Sequence, residues 1–115
     1  RLESAPGVHL CDSVGYLDML ALQASARLVL IDSGGIQEET TALGVACMTL
    51  RPNTERRVTI DEGTNTLVGP SPDQIVAVAT QILDEGGKAG RIPDLWDGHA
   101  SDRLVDILRE GIIRR

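Results

Sequence analysis

The segment 28–44 constrains the fold most strongly, because it predicts a strand, a tight turn and a helix in immediate succession. The apolar run 28–31 favours a strand, Ser33-Gly34-Gly35 follows it, and residues 36–43 suit a short helix ending at Gly44. Backbone N–H groups at such a turn point outward, and the dipole of the following helix favours negative charge. The segment therefore predicts an anion-binding corner, with an ordinary strand-to-helix turn as the alternative.

Further strands and helices are predicted to alternate along the rest of the chain. Strands are expected at residues 8–11, 45–50 and 65–68, and helices at 16–24, 55–62, 71–85 and 100–110, the last with Leu104, Ile107 and Leu108 facing inward. This order predicts an α/β fold, a Rossmann-like doubly wound and mostly parallel sheet. In such sheets ligands bind beyond the carboxyl ends of the strands.

Composition bounds the class of protein. The 115 residues suit one domain, and with 42% hydrophobic but only 2% aromatic residues the core is expected to consist of Leu, Ile, Val and Ala. A net charge of −6 argues against nucleic acid as a partner. No apolar run reaches the ~20 residues of a membrane span, so the expectation is a cytoplasmic protein without membrane contact.

The cysteines and histidines, which often bind metals or react in other proteins, are not assigned such a role. Cys11 and Cys47 lie in apolar runs and are expected to be buried free thiols rather than a disulfide. His9 and His99 are isolated from other ligand types, so no metal site is predicted. A basic cluster of Arg51, Arg56 and Arg57 follows the strand 45–50. It should therefore share one crevice with the turn at Ser33.

Several motifs resemble one family, the non-hydrolysing UDP-N-acetylglucosamine 2-epimerases of bacteria. Residues 32–39 read D-S-G-G-I-Q-E-E, residues 51–56 fit R-x-x-T-E-R, and residues 63–69 fit G-T-x-x-L-V-G. Near the end, residues 97–103 fit D-G-x-A-S-x-R. The resemblance implies the C-terminal, UDP-binding half of a GT-B-type two-domain architecture. It further implies that residues 1–115 form a single domain lacking its first strand and the N-terminal domain.

The resemblance also implies roles for individual residues. Ser33, Gly34, Gly35 and Arg56 would hold the diphosphate of UDP, and Glu39 would accept hydrogen bonds from the ribose. Met19 occupies the position where relatives usually carry Phe beside the uracil ring. Glu38 is interpreted as structural, and a salt bridge of Arg51 with Glu55 would shape the loop. No cofactor is implied.

The family interconverts UDP-N-acetylglucosamine and UDP-N-acetylmannosamine by elimination of UDP and its re-addition, so the implied ligands are UDP and UDP-N-acetylglucosamine. The family's catalytic groups lie mostly on the N-terminal domain, so no catalytic residue is assigned here and the fragment is expected to be inactive alone. Expected partners are that N-terminal domain and a second copy, as a homodimer or other self-association. The alternatives are a stand-alone UDP-sugar-binding module and the C-terminal domain of a UDP-sugar glycosyltransferase.

Overall fold

Three parallel strands form the centre of the structure, a computed structural model that describes residues 1–114. A 3-10 turn at Leu2–Ser4 precedes the regular elements, which follow in the order α1 (Tyr16–Ser25), β1 (Val29–Ile31), α2 (Gly35–Leu43), β2 (Cys47–Thr49), α3 (Arg57–Asp61), β3 (Asn65–Leu67), α4 (Pro72–Glu85) and α5 (Ala100–Ile113). The sheet order is β1-β2-β3. This confirms the predicted α/β class with a parallel sheet.

The register of the sheet brings the ends of its strands to one edge. Val29 pairs with Cys47 and Cys47 with Asn65, while Ile31 pairs with Thr49 and Thr49 with Leu67. Because all three strands run in the same direction, the segments after β1 and β2 leave the sheet side by side. The turn at Ser33 and the loop 51–56 therefore meet at this carboxyl edge, as the sequence predicts.

The helix after this turn ends where the sequence indicates. Gly44 follows the last residue of α2 in the left-handed conformation, with φ of 71°, and its N–H donates to carbonyls of the final helical turn. A residue with a Cβ is strained in this conformation, so glycine stops the helix cleanly. The chain then enters β2, whose three residues are all fully buried. The strand is therefore covered on both faces.

The interior differs from the expected aliphatic core. Polar side chains outnumber apolar ones among the buried residues. The buried apolar residues are Val45, Cys47, Met48 and Val68, and the buried polar residues are Gln23, Gln37, Thr40, Thr41, Thr49, Thr59, Thr64 and Asn65. Composition alone predicted this core wrongly, because aliphatic residues in the helices and loops stay exposed while hydrogen-bonded polar groups fill the space between α2, α3 and the sheet.

The predicted first strand is absent from the described structure. Residues 8–11 have no regular conformation, Leu10 is exposed, and Cys11 is an exposed free thiol rather than a buried one. A β-favouring run becomes a strand only when a neighbour completes its hydrogen bonds. Strand β1, whose Leu30 is 45% exposed, is left at the edge of the sheet with β2 as its only partner there.

The two cysteines should differ sharply in reactivity. Cys11 is exposed, whereas Cys47 is fully buried and its burial raises the pKa of the thiol, so the reactive thiolate is scarce at neutral pH. We expect a thiol reagent such as DTNB to label one thiol per native chain and the second at least about 100-fold more slowly. The variant Cys11→Ser should show almost no fast labelling. Rapid labelling of two thiols in the native wild type would contradict the burial of Cys47.

The last two helices contribute little to the interior. Helix α4 begins at Pro72 directly after Ser71, as predicted, and its apolar face is only half-buried. The inward orientation predicted for α5 is wrong, since Leu104, Ile107 and Leu108 are 58%, 66% and 56% exposed. Because α5 extends away from the sheet, the radius of gyration is 17.8 Å, against about 13 Å for a compact domain of this length.

The D-G-x-A-S-x-R segment forms the start of α5. The carboxylate of Asp97 accepts a hydrogen bond of 3.0 Å from Nη1 of Arg103 and another of 3.0 Å from the backbone N–H of His99. These bonds, that of Arg103 foremost, hold the pKa of Asp97 at about 2. The motif thus explains how the chain enters α5.

No helix within residues 1–114 combines the length and apolar character that crossing a membrane requires.

Candidate functional site

The turn at the carboxyl edge of β1 is open to solvent. Ser33 and Gly35 are exposed, and a Cβ added to Gly35 would meet no atom within 4 Å. Gly34 directly precedes the first residue of α2. Among residues 1–114 the N–H groups of Gly35 and Ile36 have no backbone acceptor, whereas that of Gln37 donates to the carbonyl of Gly34. The positive end of the helix dipole lies behind these groups. This geometry suits an anion bound by backbone groups.

Arg56 lies against this turn. A Cβ added to Gly34 would lie 3.4 Å from Nη2 of Arg56 and 3.0 Å from Oε1 of Glu55. The absence of a side chain at Gly34 is what lets the guanidinium approach the backbone so closely. The structure therefore brings Arg56 and the Ser33–Gly35 turn together, although they are separated by a helix and a strand in the sequence.

Carboxylates surround the guanidinium of Arg56. Its Nε lies 3.1 Å from Oε1 of Glu38, but this N–H is not aligned with any acceptor among residues 1–114. Glu38 thus acts as a local counter-ion, which fits its structural interpretation. A guanidinium carries five N–H donors, so the remaining ones are available to a second anion. The predicted pair of Arg51 with Glu55 is present at 3.7 Å.

Glu39 is held from a neighbouring helix. Its Oε2 accepts a hydrogen bond of 2.8 Å from Nε2 of Gln23, a side chain in α1 that is 3% exposed. Sequence reasoning missed Gln23, although a glutamine among the apolar residues of α1 is a visible signal. Glu39 keeps lone pairs for a second donor, so it remains able to accept from a ligand hydroxyl.

Met19 lies in the first turns of α1 and is 37% exposed. It stands four residues before Gln23, so both project from the same face of the helix. In a parallel α/β unit the helix returns antiparallel to its strands, which places the start of α1 near the carboxyl edge. Met19 therefore lies on the face of α1 that carries Gln23, the hydrogen-bond partner of Glu39.

A buried amide network lies directly beneath the site. Its centre is Gln37, whose side chain is fully buried and bonds to the turn, to the loop 51–56 and to β3. Sequence reasoning missed Gln37, which reads as one more polar helix residue beside Glu38 and Glu39. The signal available was its place in the first turn of α2, two residues after the site turn.

Lys88 links β3 to α3 by hydrogen bonds. Its Nζ donates hydrogen bonds to the carbonyls of Asn65 and Ile60, at 2.6 and 3.1 Å. Burial lowers the pKa of Lys88, while the charge of Asp61 opposes that effect.

Residues 1–114 contain no group of three or more His, Cys, Asp or Glu side chains placed to hold a metal.

A comparison with known protein families places the chain in one of them. The sequence model of the UDP-N-acetylglucosamine 2-epimerases matches residues 1–109. The chain belongs to this family. The UDP-N-acetylglucosamine 2-epimerase of Methanocaldococcus jannaschii is 38% identical over 96% of this chain, and the UDP-2,3-diacetamido-2,3-dideoxy-D-glucuronate 2-epimerase of Pseudomonas aeruginosa is 38% identical over 88%.

Solved structures of epimerases share the fold. That of the Neisseria meningitidis enzyme bound to UDP-N-acetylglucosamine superposes with a TM-score of 0.83 at 34% identity, over 95% of this chain and 30% of the other. That of the M. jannaschii enzyme with UDP-N-acetylglucosamine and UDP gives 0.77 at 37% identity, with the same coverage. This chain spans 30% of the length of the M. jannaschii epimerase and 28% of the P. aeruginosa one.

Proposed function

We propose that this chain is the UDP-binding part of a UDP-N-acetylglucosamine 2-epimerase, which interconverts UDP-N-acetylglucosamine and UDP-N-acetylmannosamine. The observation that carries the proposal is the approach of Arg56 to Gly34 at the N-terminus of α2, which joins a cationic side chain to a backbone anion site. Family membership and two related enzymes with bound UDP-sugar support it. We also propose that residues 1–115 form a single domain and that the catalytic residues lie outside it.

Each part of UDP has a matching group at the proposed site. The diphosphate sits on the N–H groups of Ser33, Gly34 and Gly35 and receives charge-assisted hydrogen bonds from Arg56. The ribose hydroxyls donate to Glu39, and the uracil packs on the thioether of Met19. In the elimination step UDP leaves the sugar C1 with the bonding electrons, so cationic and N–H groups that stabilise the diphosphate favour that step.

The remaining chemistry is assigned to groups outside this chain. Removal and return of the sugar C2 proton require acid and base groups on the opposite wall of the cleft, which the N-terminal domain of the enzyme would supply. The exposed edge of β1 offers a surface for self-association, and a homodimer is the proposed assembly. The proposed compartment is the cytoplasm, where thiols such as that of Cys11 stay reduced.

A UDP titration followed by backbone amide NMR tests the proposal. Saturable shifts are expected at Ser33, Gly34, Gly35 and Ile36, because their N–H groups surround the diphosphate. Glu39→Ala should raise the Kd for UDP about 5- to 30-fold, since it removes a charged acceptor from the ribose. Glu110→Ala is the matched control, because it removes the same charge from an exposed position in α5 and should leave the Kd unchanged.

Two outcomes would overturn the proposal. One is the absence of shifts at the turn in a folded sample at millimolar UDP. The other is binding at a different surface, with Glu39→Ala and Glu110→Ala having equal effects. Adding a separately produced N-terminal domain of a relative then tests the reaction. Sugar interconversion supports an epimerase, whereas transfer to an acceptor would indicate a glycosyltransferase.

A further inference from the structure

Gln37 connects the two halves of the proposed site. Its Nε2 donates a hydrogen bond of 2.9 Å to the carbonyl of Ser33, in the turn itself. Its Oε1 accepts from Thr54 Oγ1 at 2.8 Å and from Asn65 Nδ2 at 3.1 Å. The side chain is 0% exposed. One buried amide thus bonds to the turn, to the loop that carries Arg56 and to β3.

The hydrogen bonds continue from Gln37 to both backbone groups of Arg56. The N–H of Arg56 donates to Thr54 Oγ1 at 3.0 Å, and its carbonyl accepts from Thr59 Oγ1 at 2.7 Å. Thr59 in turn accepts from Asn65 Nδ2 at 3.1 Å, and Asn65 bonds back to Gln37. The hydrogen bonds thus form a closed circuit around the backbone of Arg56, made by Gln37, Thr54, Arg56, Thr59 and Asn65. Both ends of that peptide segment are held.

The orientation of the two buried amides is determined by their partners. The carbonyl of Ser33 can only accept, so it must face Nε2 of Gln37, and Oε1 of Gln37 must then accept from Asn65 Nδ2. Asn65 Nδ2 donates its other hydrogen to Thr59, and Asn65 Oδ1 accepts from Thr49 Oγ1 at 2.8 Å. Only a side chain with a donor and an acceptor at its end satisfies both sides, since an unmet buried polar group is costly.

We propose that Gln37 is a positioning residue, which sets the distance between the Ser33–Gly35 turn and Arg56 so that both reach one diphosphate. The inference deepens the proposed function and rests on it for the identity of the ligand. The side chain of Arg56 is 40% exposed, and its buried Nε has no aligned hydrogen-bond acceptor among residues 1–114, so no hydrogen bond to Nε fixes the guanidinium. Its placement therefore depends on the buried circuit that clamps its backbone.

The test compares three variants of similar bulk. Gln37→Met keeps the length of the side chain and removes its hydrogen bonds. Thr54→Val removes only the hydroxyl that links Gln37 to the N–H of Arg56. Thr40→Val is the control, because Thr40 is equally buried in α2 but its hydroxyl bonds to carbonyls of its own helix. Amide hydrogen exchange without ligand and the Kd for UDP are measured for each.

Gln37→Met and Thr54→Val should each speed amide exchange of Arg56 about fivefold or more relative to Thr40→Val. Rates are normalised to the N–H of Leu50, which donates to the carbonyl of Ile31 within the sheet and reports general loosening. The Kd for UDP should rise about fivefold or more in the same two variants. Thr54→Val keeps the test decisive if Gln37→Met fails to fold.

The outcomes separate this inference from the proposed function. If the wild type does not bind UDP but amide exchange of Arg56 is faster in both variants, the proposed function fails, while the role of Gln37 in holding the backbone of Arg56 stands. If the normalised exchange rate of Arg56 in both variants equals that in Thr40→Val, Gln37 does not hold this backbone, whether or not UDP binds. If the wild type binds UDP and the two variants show faster exchange of Arg56 but an unchanged Kd for UDP, Gln37 does not position the site for its ligand.

Discussion

Replacing Arg56 with alanine should raise the Kd for UDP about 10- to 100-fold, the largest change in affinity we expect from any single substitution in this chain. A charged hydrogen bond of this type contributes about 1.5–3 kcal/mol, and a tenfold change in Kd corresponds to about 1.4 kcal/mol. Isothermal titration calorimetry or NMR titration measures the change. The same variant should leave the unfolding midpoint nearly unchanged, because the Arg56 side chain is 40% exposed and its ion pair with Glu38 lies at the surface.

The direction of this effect follows from the charges around the site. The chain carries a net charge of −6, and Glu38 and Glu55 both lie beside the turn. Without Arg56, an incoming diphosphate would meet these two carboxylates without the guanidinium that lies against the turn. The loss should therefore exceed that of one neutral hydrogen bond, and it should shrink at high salt, where surface charges are screened.

Arg57→Ala provides the matched control. Arg57 is the exposed first residue of α3 and immediately follows Arg56, so its removal changes the charge near the site equally. We expect the Kd for UDP to rise about twofold or less. Equal losses in the two variants would mean that the basic cluster attracts UDP only through its total charge. A specific contact between Arg56 and the diphosphate would then be excluded.

The site corner was the part of the structure that local sequence signals could predict. A buried strand followed by Ser33-Gly34-Gly35 and a helix terminated at Gly44 is a short-range pattern, decided by neighbouring residues. Parallel strands then bring the segments after β1 and β2 to one edge, whatever the details of packing. The meeting of the turn with the loop 51–56 follows from these two facts, whereas the approach of Arg56 to Gly34 also depends on the buried hydrogen bonds that hold its backbone.

The interior was not predictable in the same way. A threonine or glutamine in a helix reads as a surface residue, and the sequence does not reveal that Gln37, Thr49, Thr59 and Asn65 satisfy one another across separate elements. Burial of polar groups becomes tolerable only when every partner is in place, which is a property of the assembled fold. Gln37, like Gln23 beneath Glu39, was therefore missed.

The two incorrect element predictions share a cause. The strand expected at residues 8–11 and the inward face expected for α5 both rest on apolar patterns, and such patterns indicate what a segment is suited to bury. They do not supply the partner that covers it. Leu10 and Ile107 are accordingly 61% and 66% exposed. The chain spans 30% of the length of its M. jannaschii relative.

Gly63→Ala should destabilise the fold by about 3 kcal/mol, because the new methyl group has no space. A Cβ at Gly63 would lie 2.4 Å from Oγ1 of Thr41 and 2.6 Å from the backbone carbonyl of Thr59. The carbonyl belongs to α3, so relief of the clash requires α3 to move away from α2. Urea unfolding followed by circular dichroism should show a lower midpoint. Thermal unfolding should show a decrease in Tm of roughly 10 °C or more.

Gly111→Ala is the control for backbone flexibility. It replaces a glycine inside α5 whose added Cβ meets no atom within 4 Å, so it should stabilise the helix by up to about 1 kcal/mol. Opposite signs in the two variants would show that the close approach, rather than the loss of a glycine, is responsible. Similar effects would contradict the packing of α3 on α2. Because Thr59 also holds the carbonyl of Arg56, movement of α3 should weaken UDP binding even where the variant remains folded.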